Sequence, residues 1–431
     1  MVQPITHLTL AAWSLPFAAL LLAIAILPLV PATASWWAHN GSKLAVSAGL
    51  AALVCGLAWS RGGLADLLRQ SVVEDYLPFI LLLFALFTIS GGIRVTGDIP
   101  AHPRTNTLIL FAGALLANLI GTTGASMVLI RPLLQINSER RHVKHTVVFF
   151  IFLVSNIGGS LLPVGDPPLF LGYLKGVPFF WTLRLWPVWL TTVGLLLGIY
   201  WLLDTRFHAR EDRAALERDA STVEPFRVRG KVNFLLLAAL VLAVAALPPG
   251  PAHARELALL ALAGASMALT PAEVRRANHF SFGAIAEVAC LFIGIFITMR
   301  VPIELLHRVG PALGLTTPAQ FFWASGSLSS FLDNAPTYVV FFEAAKCLPV
   351  APGVPILALP GACAIQVRLL EALALGSVFM GANTYIGNGP NFLVKSLAEE
   401  RGVRMPSFFG YMAYSGLILV PVFLLVTWIF F

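Results

Sequence analysis

The chain is a succession of apolar runs, each near the length needed to cross a bilayer, and this constrains its fold more than any other feature. A membrane helix needs about 20 predominantly apolar residues. Thr9–Val30, Lys43–Ser60 and Leu185–Asp204 are runs of that kind. Only 11% of the 431 residues are charged and 58% are hydrophobic, whereas soluble domains carry about 25% charge. Alternating strands of about ten residues, the mark of a membrane barrel, do not appear. The pattern predicts an all-α polytopic membrane protein whose first partner is the lipid bilayer. The first run lacks a basic leader and a small-x-small cleavage site, so it reads as a retained helix. The net charge of +7 resides between the runs, where membrane orientation accounts for it, and nucleic acid is not expected. The four cysteines and nine histidines show no metal-ligand spacing. Without a nucleophile–base or metal constellation an enzyme is not expected. No cofactor is expected beyond Na+ or H+ as coupling ions.

Several runs are interrupted. Residues 108–137 carry a polar middle, Asn118–Ser126, and residues 320–346 carry another, Ser329–Thr337. Each middle leaves two arms of roughly a dozen residues, too short to span. The reading is a re-entrant hairpin, whose non-helical tip is tolerated at membrane depth only inside protein or beside a watery cavity. Residues 147–173 and 367–397 are long enough to cross but are broken by glycine, proline, asparagine and, in the first, Asp166.

The interruptions fall in the same order twice. "VGDPPLFL" (Val164–Leu171) answers "IGNGPNFL" (Ile386–Leu393), and "ANLIGTTGA" (Ala117–Ala125) lines up with "SSFLDNAPT". The expected organisation is an N-terminal repeat, residues 1–204, a cytoplasmic linker, 205–231, and a C-terminal repeat, 232–431. The linker's Ala209–Ala220 portion suits a surface helix. Each repeat would hold five crossing helices, one of them broken, and one hairpin; an odd number of crossings inverts the second copy. Inverted repeats with discontinuous helices are the architecture of secondary transporters. The positive-inside rule puts Arg140, Arg141, Lys144 and the basic linker in the cytoplasm and both termini outside, in the periplasm of a bacterial inner membrane. Arg94 and Arg300 are expected to end helices at opposite interfaces. Arg131 and Glu343 occupy matching hairpin arms and are expected to pair with each other or to snorkel.

Breaking a helix frees carbonyls and N–H groups that need partners. Carbonyls with side-chain oxygens suit Na+, and helix N-termini suit anions. The first half offers Asn118, Thr122, Thr123, Ser155, Asn156 and Asp166. The second offers Ser330, Asp333, Asn334, Thr337, Asn383, Thr384, Asn388 and Asn391. A carboxylate at bilayer depth costs about 3 kcal/mol or more and usually serves ions or protons. The bland alternative is capping: "GDPP" and "DNAP" both fit a helix-capping acid. Glu287 is a second-tier candidate.

"SNIGGSLLPVGDPP", "SSFLDNAPT" and "GNGPNF" resemble the ion transporter superfamily, which includes citrate transporters, divalent-anion/sodium symporters, arsenite permeases and one class of bacterial Na+/H+ antiporters. The resemblance covers nearly the whole chain. It implies a scaffold domain and a mobile domain of hairpins and broken helices, a homodimer, and elevator-type alternating access. It also implies one Na+ site of Asn118, Thr122, Ser155, Asn156 and Asp166, and another of Asp333, Asn334, Thr337, Asn383 and Asn388. Symporters of dicarboxylates in this group carry Ser-Asn-Thr at both tips; here the tips read Gly-Thr-Thr and Asp-Asn-Ala-Pro-Thr. The added tip carboxylate favours a cation. The leading expectation is therefore a monovalent cation/proton antiporter, followed by a Na+- or H+-coupled carrier of citrate or another organic anion, and then an arsenite-type exporter.

Overall fold

A chain segment in lipid must satisfy its backbone internally, which leaves the helix as the default for each apolar run. The computed structural model describes residues 7–28, 30–221, 223–247, 253–309, 314–346, 348–350, 352–360 and 363–431. Among them, seven helical stretches are long and apolar enough to cross a membrane. Strands among the described residues are confined to two short antiparallel pairs. The protein is an all-α, multi-pass membrane protein.

Hairpin one spans Pro103–Ile136 and turns back at Gly121, where φ is 76° and ψ is 154°. A residue with a side chain rarely adopts that backbone. The fold-back is plain from the arms: a Cβ on Gly113 would lie 3.1 Å from Leu129 Cδ1. At the base, Asn106 and Asn137 each donate an amide hydrogen to the other at 2.9 Å. A straight helix would hold those two residues roughly 46 Å apart. Hairpin two consists of Pro318–Ser329 and Asn334–Lys346. Its first arm opens on a capping box between Thr317 and Gln320. Its arms meet where the Phe321 and Phe341 rings pack edge to face at 6.3 Å.

The first broken helix runs Lys144–Leu153, a 3-10 turn Ile157–Ser160, then Pro167–Leu174. The second runs Val367–Phe379, a 3-10 turn Met380–Asn383, then Gly389–Glu400. Both breaks fold tightly on themselves through glycine. A Cβ on Gly165 would sit 2.2 Å from the Gly159 carbonyl oxygen, and one on Gly387 would sit 2.5 Å from that of Gly381.

Packing between the halves is reciprocal. Asn40–Ser60 lies against Gly283–Thr298, and Leu77–Ser90 lies against Ala254–Leu269. These four helices form a panel, with Phe79 stacked on Phe292 at 4.9 Å. Hairpin one contacts Gly389–Glu400 of the second broken helix, and hairpin two contacts Pro167–Leu174 of the first.

Hairpin one is anchored at its base by a buried polar cluster. Arg140 donates to Asp204 at 2.6 and 3.2 Å, His145 Nε2 meets Asp204 Oδ1 at 2.9 Å, and Asn106 donates to Asp204 at 3.3 Å. Glu211 closes the cluster from the linker by accepting the backbone N–H groups of Arg141 and His142 at 2.9 Å. Burial raises the pKa of Glu211, but those two N–H groups and the Arg140 charge outweigh it and hold the acid below its usual range.

The linker departs from expectation. The preceding helix, Trp186–His208, continues into it, and the surface helix is Arg213–Ser221 rather than 209–220. A strand, Glu224–Arg229, pairs antiparallel with Arg94–Asp98. Arg94 thus lies in a strand and does not end a helix. Arg300 opens a further helix, Arg300–Val309, and pairs with Asp75 at 2.7 Å. Arg131 and Glu343 do not pair with each other. Arg131 Nη1 donates to the Asn278 carbonyl at 2.8 Å, and Glu343 meets Lys175, Lys346 and His307 at 3.0–3.1 Å.

Two substitutions test this architecture by thermal unfolding in detergent. Gly165→Ala forces two backbones apart and is expected to cost about 1–3 kcal/mol, whereas Gly198→Ala, with nothing within 4 Å, is neutral. Asp204→Ala takes from the buried Arg140 guanidinium the nearer of its two acids, and from His145 and Asn106 their shared partner, and is expected to cost about 3–5 kcal/mol.

Candidate functional site

Asp166 occupies the N-cap position of Pro167–Leu174, with extended backbone (φ −146°, ψ 142°) and proline at the first helical position. Its side chain does not cap that helix. The carboxylate, 1% exposed, turns away from it. Oδ1 accepts from the Thr122 hydroxyl at 2.8 Å, and Oδ2 accepts from Asn334 Nδ2 at 2.5 Å. Asn388 Nδ2 lies 3.5 Å from Oδ1. One carboxylate therefore joins the tip of hairpin one, the tip of hairpin two and the break of the second broken helix.

The capping reading fails for Asp166 and describes Asp333. Asp333 Oδ1 accepts the backbone N–H of Ala335 at 3.0 Å, at the start of the second arm of hairpin two. It is partly buried, with Thr337 Oγ1 donating to its carbonyl at 3.0 Å.

Asn388 stands where Asp166 stands in the other half, with the same extended backbone (φ −154°, ψ 141°) before Gly389–Glu400. Its amide donates to the Ser155 carbonyl at 3.1 Å and to Asn156 Oδ1 at 3.2 Å. Asn156 in turn donates to Asn391 Oδ1 at 2.7 Å, and Asn391 donates to the carbonyls of Gly381 at 2.8 Å and Thr384 at 2.9 Å. The two breaks are thus stitched to each other through three asparagines.

The remaining candidates tie each hairpin to its own broken helix. Asn118 Oδ1 accepts the Leu161 N–H at 2.7 Å, and the Thr122 N–H donates to the Gly165 carbonyl at 2.9 Å. In the second half Thr384 Oγ1 donates to the Ser330 carbonyl at 2.5 Å, and Asn383 donates to Ser330 Oγ at 2.9 Å. Thr123 takes no part in these bonds; it lines a cavity of about 90 Å³ beside Asp166, with Thr122, Gly165, Phe87 and Ile285.

The resemblance implies two separate oxygen clusters, one per half. The structure groups the residues differently: Asn334 and Asn388, assigned to the second cluster, both reach Asp166 of the first. Glu287 lies elsewhere. It pairs with Lys43 at 2.6 Å, between Gly283–Thr298 and Asn40–Ser60 of the panel. Sequence reasoning passed over Ser126 and Ser329. Ser126 meets Ser155 at 2.8 Å and Ser329 donates to the Ser377 carbonyl at 2.6 Å, one contact in each half between a hairpin arm and its broken helix. The hint available was a small polar residue a few positions from each tip.

Chemically, the crossing offers acceptor oxygens and neutral donors around one acid. Among the described residues no basic side chain pairs with Asp166. Asn334 Oδ1 and Asn383 Oδ1 are buried acceptors without a hydrogen-bond partner. Of the two, Asn334 is the one whose amide meets Asp166, and a free acceptor next to a carboxylate suits a desolvated monovalent cation.

A family model described as "Putative citrate transport" matches residues 6–431. No curated protein matches the chain.

Asp166→Ala strands buried donors on Thr122 and Asn334, whereas Asp166→Asn keeps an acceptor. In thermal unfolding the alanine variant is expected to fall below the asparagine variant by about 1–3 kcal/mol.

Proposed function

The chain belongs to the family described as "Putative citrate transport", and from that premise we propose that it is a secondary transporter coupling Na+ or H+ to the movement of a small organic anion such as citrate. The observation that carries the reading is the Asp166 carboxylate, buried and met only by neutral donors. A charge buried without a counter-charge costs several kcal/mol. A coupling cation or proton relieves that cost, and its departure restores it. Loading at the crossing is in this way tied to the arrangement of both hairpins.

On this reading residues 1–204 and 232–431 are two inverted copies. Their reciprocal packing supports it, as do the equivalent positions of Asp166 and Asn388. The hairpins and broken helices form the body that moves against the panel, giving alternating access. Arg140, Arg141, Lys144 and the basic linker residues from Arg206 to Lys231 would face the cytoplasm of a bacterial cell, with both termini in the periplasm.

Cation/proton antiport without an organic anion is the second reading, and the second acid near Asp166, Asp333, favours it. Proteoliposomes separate the two. Labelled citrate uptake driven by an inward Na+ or H+ gradient supports the first. Na+-driven proton efflux indifferent to citrate supports the second. Asp166→Asn is expected to abolish ion-coupled flux in either case, and full retention of flux by that variant would sink both.

A further inference from the structure

A second cavity, of about 310 Å³, lies between hairpin one, the panel and the second broken helix. Its walls include Met127 and Arg131 of hairpin one, Asn278 and His279 of the loop before Gly283–Thr298, and Leu397 and Glu400 of the second broken helix. Phe87 and Ala284 wall both this cavity and the smaller one beside Asp166. The two spaces therefore adjoin along the seam between hairpin one and the panel.

Arg131 is the residue that gives the cavity its chemistry. A guanidinium has five donor hydrogens in a planar fork. Among the described residues its one hydrogen bond runs from Nη1 to the Asn278 carbonyl, at 2.8 Å. Among the described residues no carboxylate lies within ion-pairing reach of it. Asn278 is held in place by donating to the carbonyls of Gly91 at 3.0 Å and Ile93 at 2.8 Å. His279 keeps the loop in a left-handed turn, with φ 50°. Glu400 stands exposed on the rim, and its charge is felt at Arg131 along with those of Arg401 and Arg94.

We propose that this cavity is an anion-docking vestibule, in which Arg131 receives a carboxylate of the transported organic anion before it passes Phe87 and Ala284 toward Asp166. The inference rests on the organic-anion reading given above. A carboxylate offers a charge-assisted, two-pronged bond that a neutral carbonyl cannot match. The apolar surfaces of Met127, Leu393 and Leu397 strengthen that bond by keeping water away. The arrangement divides the labour: the cation is held at the acid, and the anion is first met at the base. Arrival of the anion also frees the Asn278 carbonyl, the point where hairpin one is tied to the panel loop.

The test is citrate and succinate uptake into proteoliposomes by the full chain, with thermal unfolding in Na+ alongside. Arg131→Gln is expected to raise the KM for citrate by about tenfold or more, with kcat little changed, and Arg131→Lys to recover part of the loss. Met127→Trp, which fills the cavity without touching a charge, is expected to raise the KM as well. The stabilisation by Na+ is expected to persist in all three, since Asp166 is untouched. Unchanged KM in both Arg131→Gln and Met127→Trp overturns the vestibule and leaves the transport reading standing. Wild-type protein that carries neither citrate nor succinate overturns both.

Discussion

The structure depends on one buried acid being met from several directions at once. Asp166 belongs to the first broken helix, yet its carboxylate takes a hydroxyl from hairpin one and an amide from hairpin two. Desolvating a carboxylate is costly, and neutral donors offset part of the cost only while they stay aimed at it. The tips of two hairpins and the breaks of two helices are therefore held in mutual register by a group that sits uneasily where it is. The asparagines at 156, 388 and 391 extend that register through the second break.

Much of this is legible in the sequence, and the reason is physical. Glycine and proline inside an apolar run have few uses other than interruption, so the tip at Gly121 and the breaks near Asp166 and Asn388 announce themselves. The match of "VGDPPLFL" with "IGNGPNFL" places Asp166 and Asn388 at corresponding points, each just before a helix. Which residues touch across the halves is another matter. Asn334 reaching Asp166 spans 168 positions and depends on how two hairpins are set against each other. Local pattern carries no information about that. Capping chemistry was equally ambiguous: "GDPP" and "DNAP" look alike, but only Asp333 caps its own turn.

The charged residues outside the crossing show the same limit. Arg94 stands after an apolar run, and its place in a strand follows from the linker folding back to pair with it. Lys43 and Glu287 sit in different halves and become partners only because two panel helices lie side by side. Asp204 looks like the polar end of a span, yet it is wholly buried beneath Arg140 and His145.

The reciprocal amide clasp between Asn106 and Asn137 has a mechanical corollary. It closes hairpin one at the end farthest from Asp166, and opening it would forfeit two buried bonds together. The loop at Gly121 consequently has no independent flap-like swing available through splaying of its legs. The two legs of hairpin one are thus fastened to each other at the root and, through Asp204, to Trp186–His208.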